Sequence, residues 1–322
     1  MEIQERPAHY RGPNLDPNGV RLSPRFLGRG VYALMANKVP RDNSGVVIGS
    51  RGALVIDAGI NGAMVREIQD RVRQLTDKPL LYAVNTNYHG DHTFGNYAFP
   101  ESVEIVAHRK TRDSMSDLDA EKRIRARNLF GNDAAIDDVT TWRKPDRVFD
   151  GEFMELDLGD RKVQLWHFGP GNTPGDTIVY VPEVKAAWTG NFLSNELIGN
   201  TMLLEGGPRE YLDTLARCKN RLEIRRIVPG HGPMGGPAAF DKLIAYLWWL
   251  LREVDEALRL GLTETAAIEA ITLDRRFMVS RFSPASRVNP LIENFHRLNV
   301  LSTYRALAKE SVGSEPKGKV AA

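Results

Sequence analysis

"NTNYHGDHTFGN", residues 85–96, comes directly after the apolar run "PLLYAV". A short apolar run bounded by Pro and Asn reads as a buried strand, so the histidines fall in the loop at its end. His89, Asp91 and His92 are packed as a metal-binding cluster would be. The position two before His89 is Asn87, where a further histidine would complete a common metal motif.

Three more loops share this setting. "GPGNTPGDT" (169–177), "TGNFLS" (189–194) and "PGHG" (229–232) each follow an apolar, strand-like run and carry residues of ligand type. Any one alone is weak, since "PGHG" reads equally well as a turn with a hydrogen-bonded histidine. Four in this order are much harder to reach by chance.

Between the loops the pattern alternates. "VYALM", "SGVVIGS", "GALVIDAG", "VEIVAH", "FMELDLG", "RKVQLWHFG", "DTIVYVP" and "VKAAWTG" read as strands. "NGAMVREIQDRVRQLT" has apolar residues at Met64, Ile68, Val72 and Leu75, which predicts a helix capped by Asn61. Residues 109–130, "REYLDTLARCKN", 237–260 and about 289–309 are expected to be helical. A strand meander, helices and a ligand loop, then the same again, suggests two sheets with helices on both outer faces. Ligands would sit on loops at one edge. The domain organisation expected is an irregular N-terminal arm over 1–28, one domain over 29–310 and a frayed tail over 311–322.

Composition bounds the function. The 322 residues carry a formal charge of +2 and 42% hydrophobic residues, an ordinary globular balance without an electrostatic case for nucleic acid. The sole cysteine, Cys218, excludes an intrachain disulfide and a cysteine-based zinc cluster. It lies at helical spacing with Leu212 and Leu215, as a buried structural thiol does. No run of about 18 apolar residues suggests a membrane span. The polar start, "MEIQERPAHYRGPN", lacks the apolar core of a signal peptide, so a cytoplasmic location is expected. Apolar C-terminal helices make a homodimer the expected assembly.

Over about residues 30–260 the chain resembles the metallo-β-lactamase superfamily. The likeness rests on Asp57 in "VIDAG", the loop 87–92, "NTPGDT", Gly190-Asn191 and Gly230-His231. It implies an α/β four-layer αβ/βα sandwich with metal at the edge between the sheets. The departures carry more information. Where the family's first metal takes three histidines, this chain has Asn87, His89 and Asn172. Asn191 replaces the bridging aspartate, while Asp91, His92 and His231 of the second half-site remain. An amide oxygen is a weak donor beside imidazole, so the losses agree with a site rebuilt around one ion. One-zinc β-lactamases use a cysteine near Asn191, and Cys218 is too far along the chain to replace it.

That set, with His89 left over beside it, resembles the chlorothalonil hydrolytic dehalogenases. The resemblance implies one catalytic Zn²⁺ per chain on Asp91, His92, Asn191 and His231. Asn87 and Asn172 would stand behind the ligands, and His89 or Asp91 would accept or relay a proton. The substrate implied is a small chlorinated aromatic dinitrile, with Tyr88, Phe94, Phe192, Leu193 and Met202 as candidate pocket residues. Two alternatives are another mononuclear hydrolase of this fold, acting on a lactone, β-lactam, thioester or phosphoester, and a non-catalytic scaffold. His9, His108, His167 and His296 read as structural or surface residues, with His108 the one to watch for a metal at a subunit interface.

Overall fold

A computed structural model describes residues 12–195, 207–274, 277 and 290–313. Among the described residues, twelve strands form two sheets. In the first, β1 (Leu22–Gly28), β2 (Val31–Ala36), β3 (Ser44–Ile48), β4 (Ala53–Ile56), β5 (Leu80–Val84), β6 (Glu104–His108) and β7 (Arg147–Phe149) lie in that order. The second runs β12 (Arg226–Pro229), β11 (Ala186–Gly190), β10 (Ile178–Val181), β9 (Lys162–Trp166), β8 (Phe153–Asp157). Neighbours from β4 to β7 are parallel, as are β11 and β12, and the meanders are antiparallel.

The layering follows from two-sided burial. Along β4, Ala53 and Val55 face one apolar cluster and Leu54 and Ile56 another. Along β10, Ile178 and Tyr180 face outward to helices, while Val179 and Val181 face inward. Period-2 alternation with both sets apolar is what a sheet covered on both faces requires. The inward sets of both sheets make a shared central core, in which Leu54, Ile56, Val84 and Val106 join Leu165, Val179, Trp188 and Val228. Helix α1 (Gly62–Leu75) covers the first sheet with Met64, Ile68 and Val72 buried. Helices α5 (Pro208–Arg221) and α6 (Ala238–Arg259) cover the second. The four-layer αβ/βα sandwich expected from the sequence is the observed fold.

Local chemistry explains the breaks. Asn61 caps α1 by accepting from the Met64 amide, worth about 1 kcal/mol. Residues 109–130 are helical in two pieces, α3 (Arg109–Ser114) and α4 (Leu118–Ala126), because Asp117 starts a new helix by capping Ala120. Two further helices, α7 (Glu264–Ala270) and α8 (Pro290–Gly313), complete the C-terminal side.

The expected irregular arm is corrected at its inner end. Leu22–Gly28 is the edge strand β1, and Leu15, Val20 and Leu22 are buried in the α1 core. Pro24 is tolerated there because an edge strand leaves one row of amides unpaired. Strand β7, three residues long, also lacked a sequence signal.

Candidate metal centre

The ligand-type residues meet at the C-terminal ends of the parallel strands β4, β5, β11 and β12. Asp57 ends β4. The loop after β5 leads into the one-turn helix α2 (Gly90–Thr93), which carries Asp91 and His92. Asn191 follows β11, and His231 follows β12. Gly230 lets these loops close: a Cβ there would lie 2.7 Å from His92 Cε1 and 3.1 Å from the Gly190 backbone.

Asp91, His92 and His231 each offer a ligand atom, all within 4.8 Å of one another, and all three are buried. Asp91 Oδ2 lies 3.0 Å from His231 Nε2 and 3.5 Å from His92 Nε2. The other imidazole nitrogens are committed. His92 Nδ1 donates to Asp57 Oδ2 at 2.8 Å, and His231 Nδ1 donates to the Pro40 carbonyl at 2.7 Å. Each ring thus presents Nε2 to the cluster, the arrangement by which proteins orient metal-binding histidines. Asp57 itself adopts φ 61°, a left-handed conformation that a non-glycine residue holds only under constraint. Its carboxylate is fixed by the Thr86 amide and hydroxyl.

These donors fit a cation. His92 Nε2 and Asn191 Oδ1 are buried polar atoms without a hydrogen-bond partner among the described residues. Such atoms cost free energy unless something binds them. The charges agree. Burial lowers the His92 imidazole, but the Asp57 and Asp91 carboxylates outweigh it and push it up to about 10. Burial would raise Asp91, yet the Arg125 guanidinium, with His92 and His231, holds it well below the usual carboxylate range. Asp42, buried beside His231, is pushed up to about 7, chiefly by burial.

The remaining expected residues take distinct places. Asn191 Nδ2 lies 3.3 Å from His89 Nδ1. With the amide nitrogen turned to that ring, Oδ1 is left for an ion. Asn87 turns into its own loop, Oδ1 accepting from the His89 amide. Asn172 is buried, and its amide donates to Asp176 Oδ2 at 2.6 Å. Tyr88 is buried against the His89 ring. Phe94 is packed in the α1 core, and Phe192 and Leu193 in the α5–α6 core, so their burial places them in packing rather than along an open wall. Met202 lies outside the described residues, as does His9.

The other singled-out residues make capping, stacking and hydrogen-bond contacts within the fold. His108 caps α3 and stacks on His167 with centroids 3.9 Å apart. His296 contacts the Tyr246 hydroxyl and the Ile271 carbonyl. Cys218 is buried, which pushes its thiol far above the usual range. Among the described residues, no helix is long and apolar enough to cross a membrane.

Sequence reading missed three supporting residues. Asp42 reaches His231 from the β2–β3 connection, and Arg125 and Glu121 reach Asp91 and Gly90 from α4. Nothing in their local sequence separates them from solvated charges.

The profile of the metallo-β-lactamase superfamily matches residues 40–231, the span from the β2–β3 connection to the last site histidine. The chain belongs to that superfamily. Its fold is shared with a metallo-β-lactamase from Pontibacter korlensis, at 19% identity and a TM-score of 0.57, over 71% of this chain and 99% of that one. DIM-1 metallo-β-lactamase is similar at 18% identity and a TM-score of 0.56, over 71% and 98%. TMB-1 follows at 19% and 0.54, over 70% and 97%.

Proposed function

We propose that the protein is a mononuclear zinc hydrolase that replaces one ring chlorine of chlorothalonil by hydroxyl. The observation that supports this most is the donor set: Asp91, His92 and His231 converge, Asn191 offers an amide oxygen, and Asn87 is turned into its own backbone. One cation suits that set, and a neutral fourth donor suits one cation better than two.

Asp91, His92, Asn191 and His231 would hold the zinc. Bound there, the ion supplies a Lewis acid that lowers the pKa of water toward about 7. Asp57 and the Pro40 carbonyl fix the two imidazoles, so the donors are set before substrate arrives. The substrate carbon is made electron-poor by two nitriles and the neighbouring chlorines. A C–O bond forms at that carbon, the C–Cl bond breaks, chloride leaves with the bonding pair, and the proton of water passes to solvent. His89, beside Asn191, is the side chain placed to exchange a hydrogen bond or a proton with the reacting groups.

The homodimer remains part of this proposal. Trp248, 60% exposed on α6, is the feature that supports it.

The test is chloride release. Zinc-loaded protein is incubated with chlorothalonil and, separately, with a lactone, a β-lactam and a thioester. One chloride per hydroxylated product supports the reading. Opening of the β-lactam or lactone without chloride release from chlorothalonil overturns the substrate while keeping the metal site.

A further inference from the structure

Helix α4 sets two charged side chains, Glu121 and Arg125, one turn apart in the wall of the site. Glu121 is 0% exposed and Arg125 2%. Charges so deeply buried cost solvation that only specific partners recover. Arg125 Nη1 donates to Asp91 Oδ1 at 2.8 Å. Arg125 Nε lies 2.8 Å from Glu121 Oε1, and the same oxygen accepts from the Gly90 amide at 2.8 Å. Glu121 thus holds both the guanidinium and the first residue of α2, the turn that carries Asp91 and His92.

The two Asp91 oxygens are therefore not equivalent. Oδ1 is committed to Arg125, whereas Oδ2 faces His92 and His231. We infer that Arg125, held by Glu121, is a positioning residue that keeps Asp91 a one-oxygen metal ligand and removes it from proton transfer. This rests on the metal site proposed above.

Three effects combine. With Oδ1 tied, the carboxylate cannot chelate an ion through both oxygens, so a coordination position stays open for water or substrate. The guanidinium draws negative charge from the carboxylate, and an ion held by Oδ2 keeps more of its own charge for polarising what it binds. With Oδ1 accepting from Arg125 and Oδ2 facing the two imidazoles, neither oxygen of Asp91 is placed for the proton-accepting role expected from its sequence position. Arg125 stands between two carboxylates, Asp91 on one side and Glu121 on the other.

The experiment uses the full chain, loaded with zinc or with cobalt(II). Arg125→Met removes the donor and keeps much of the bulk, and Arg125→Lys keeps the charge. Metal affinity is read by chelator competition, coordination number by visible cobalt(II) absorption, and turnover by chloride release. Arg125→Met is expected to bind zinc no more weakly than the parent. Its cobalt(II) bands should lose intensity as Asp91 takes up both oxygens, and turnover should fall about 10- to 100-fold. Arg125→Lys should recover much of the parent's spectrum and turnover. Parent-like spectrum and turnover in Arg125→Met would overturn the inference. So would loss of metal from both variants, which would make Arg125 a support of the fold alone. Uptake of no metal by the parent chain would instead overturn the metal site and this inference together, and that measurement comes first.

Discussion

At the residue scale the site separates atoms that bind from atoms that orient. His92 and His231 each spend Nδ1 on an acceptor and present Nε2, the orientation the proposed ligand role needs. His231→Ala is accordingly expected to abolish both metal binding and turnover, whereas Asn191→Ala weakens binding less, because an amide oxygen contributes less than an imidazole. Equilibrium dialysis against zinc measures both, and full occupancy in His231→Ala would remove it from the ligand set. His89 is placed differently, beside Asn191 rather than within the Asp91–His92–His231 cluster. Its replacement by Ala should leave zinc stoichiometry near the parent's and lower turnover by about 10²-fold, the scale of one lost polar interaction with the reacting groups. Metal loss in His89→Ala would make it a ligand. The ligand-type residues were legible because they lie on loops after apolar strands in a fixed order. Arg125, Glu121 and Asp42 were not, because a charge on a polar helix or loop reads as solvated until packing buries it.

At the element scale, the two sheets approach closely where no periodicity announces it. Trp188 of β11 donates from its indole nitrogen to the Ser44 carbonyl of β3 at 3.1 Å. Gly45 is the residue that makes room: a Cβ there would lie 2.3 Å from Trp188 Nε1 and 2.8 Å from Ile56 Cδ1. Gly45→Ala should destabilise the fold by about 1–3 kcal/mol, the usual cost of overpacking, without changing metal stoichiometry. A denaturant midpoint equal to the parent's would show that the sheets can separate at no cost. Strands with long apolar runs and the capped helix α1 were legible from period and capping chemistry. Strand β1 was not, since Pro24 and Arg25 on an edge look like loop. The split between α3 and α4 also depends on a cap within one charged run.

At the scale of the whole molecule, acid stability follows from buried neutral histidines remote from the metal ligands. Burial, with His167 and Lys110 adding, lowers His108 to about 4, and burial lowers His296 to about 4. A histidine whose folded pKa is depressed favours the folded state fully above its ordinary value near 6.5, and that contribution is lost as pH falls toward 4. Thermal melts should therefore show a falling midpoint between about pH 6.5 and 4, made shallower by His296→Gln. A flat midpoint across that window would contradict the burial of neutral imidazoles. Metal uptake has its own pH dependence: the Asp57 and Asp91 carboxylates push the His92 imidazole up to about 10, so zinc competes with a proton there and affinity should drop as pH falls. An anomalous-scattering map at the zinc edge, from crystals of the zinc-loaded protein, counts the ions. A single peak is expected in each active site, bonded to Asp91, His92, Asn191 and His231; a second peak beside His89, or none among these four residues, would rule out a one-ion site.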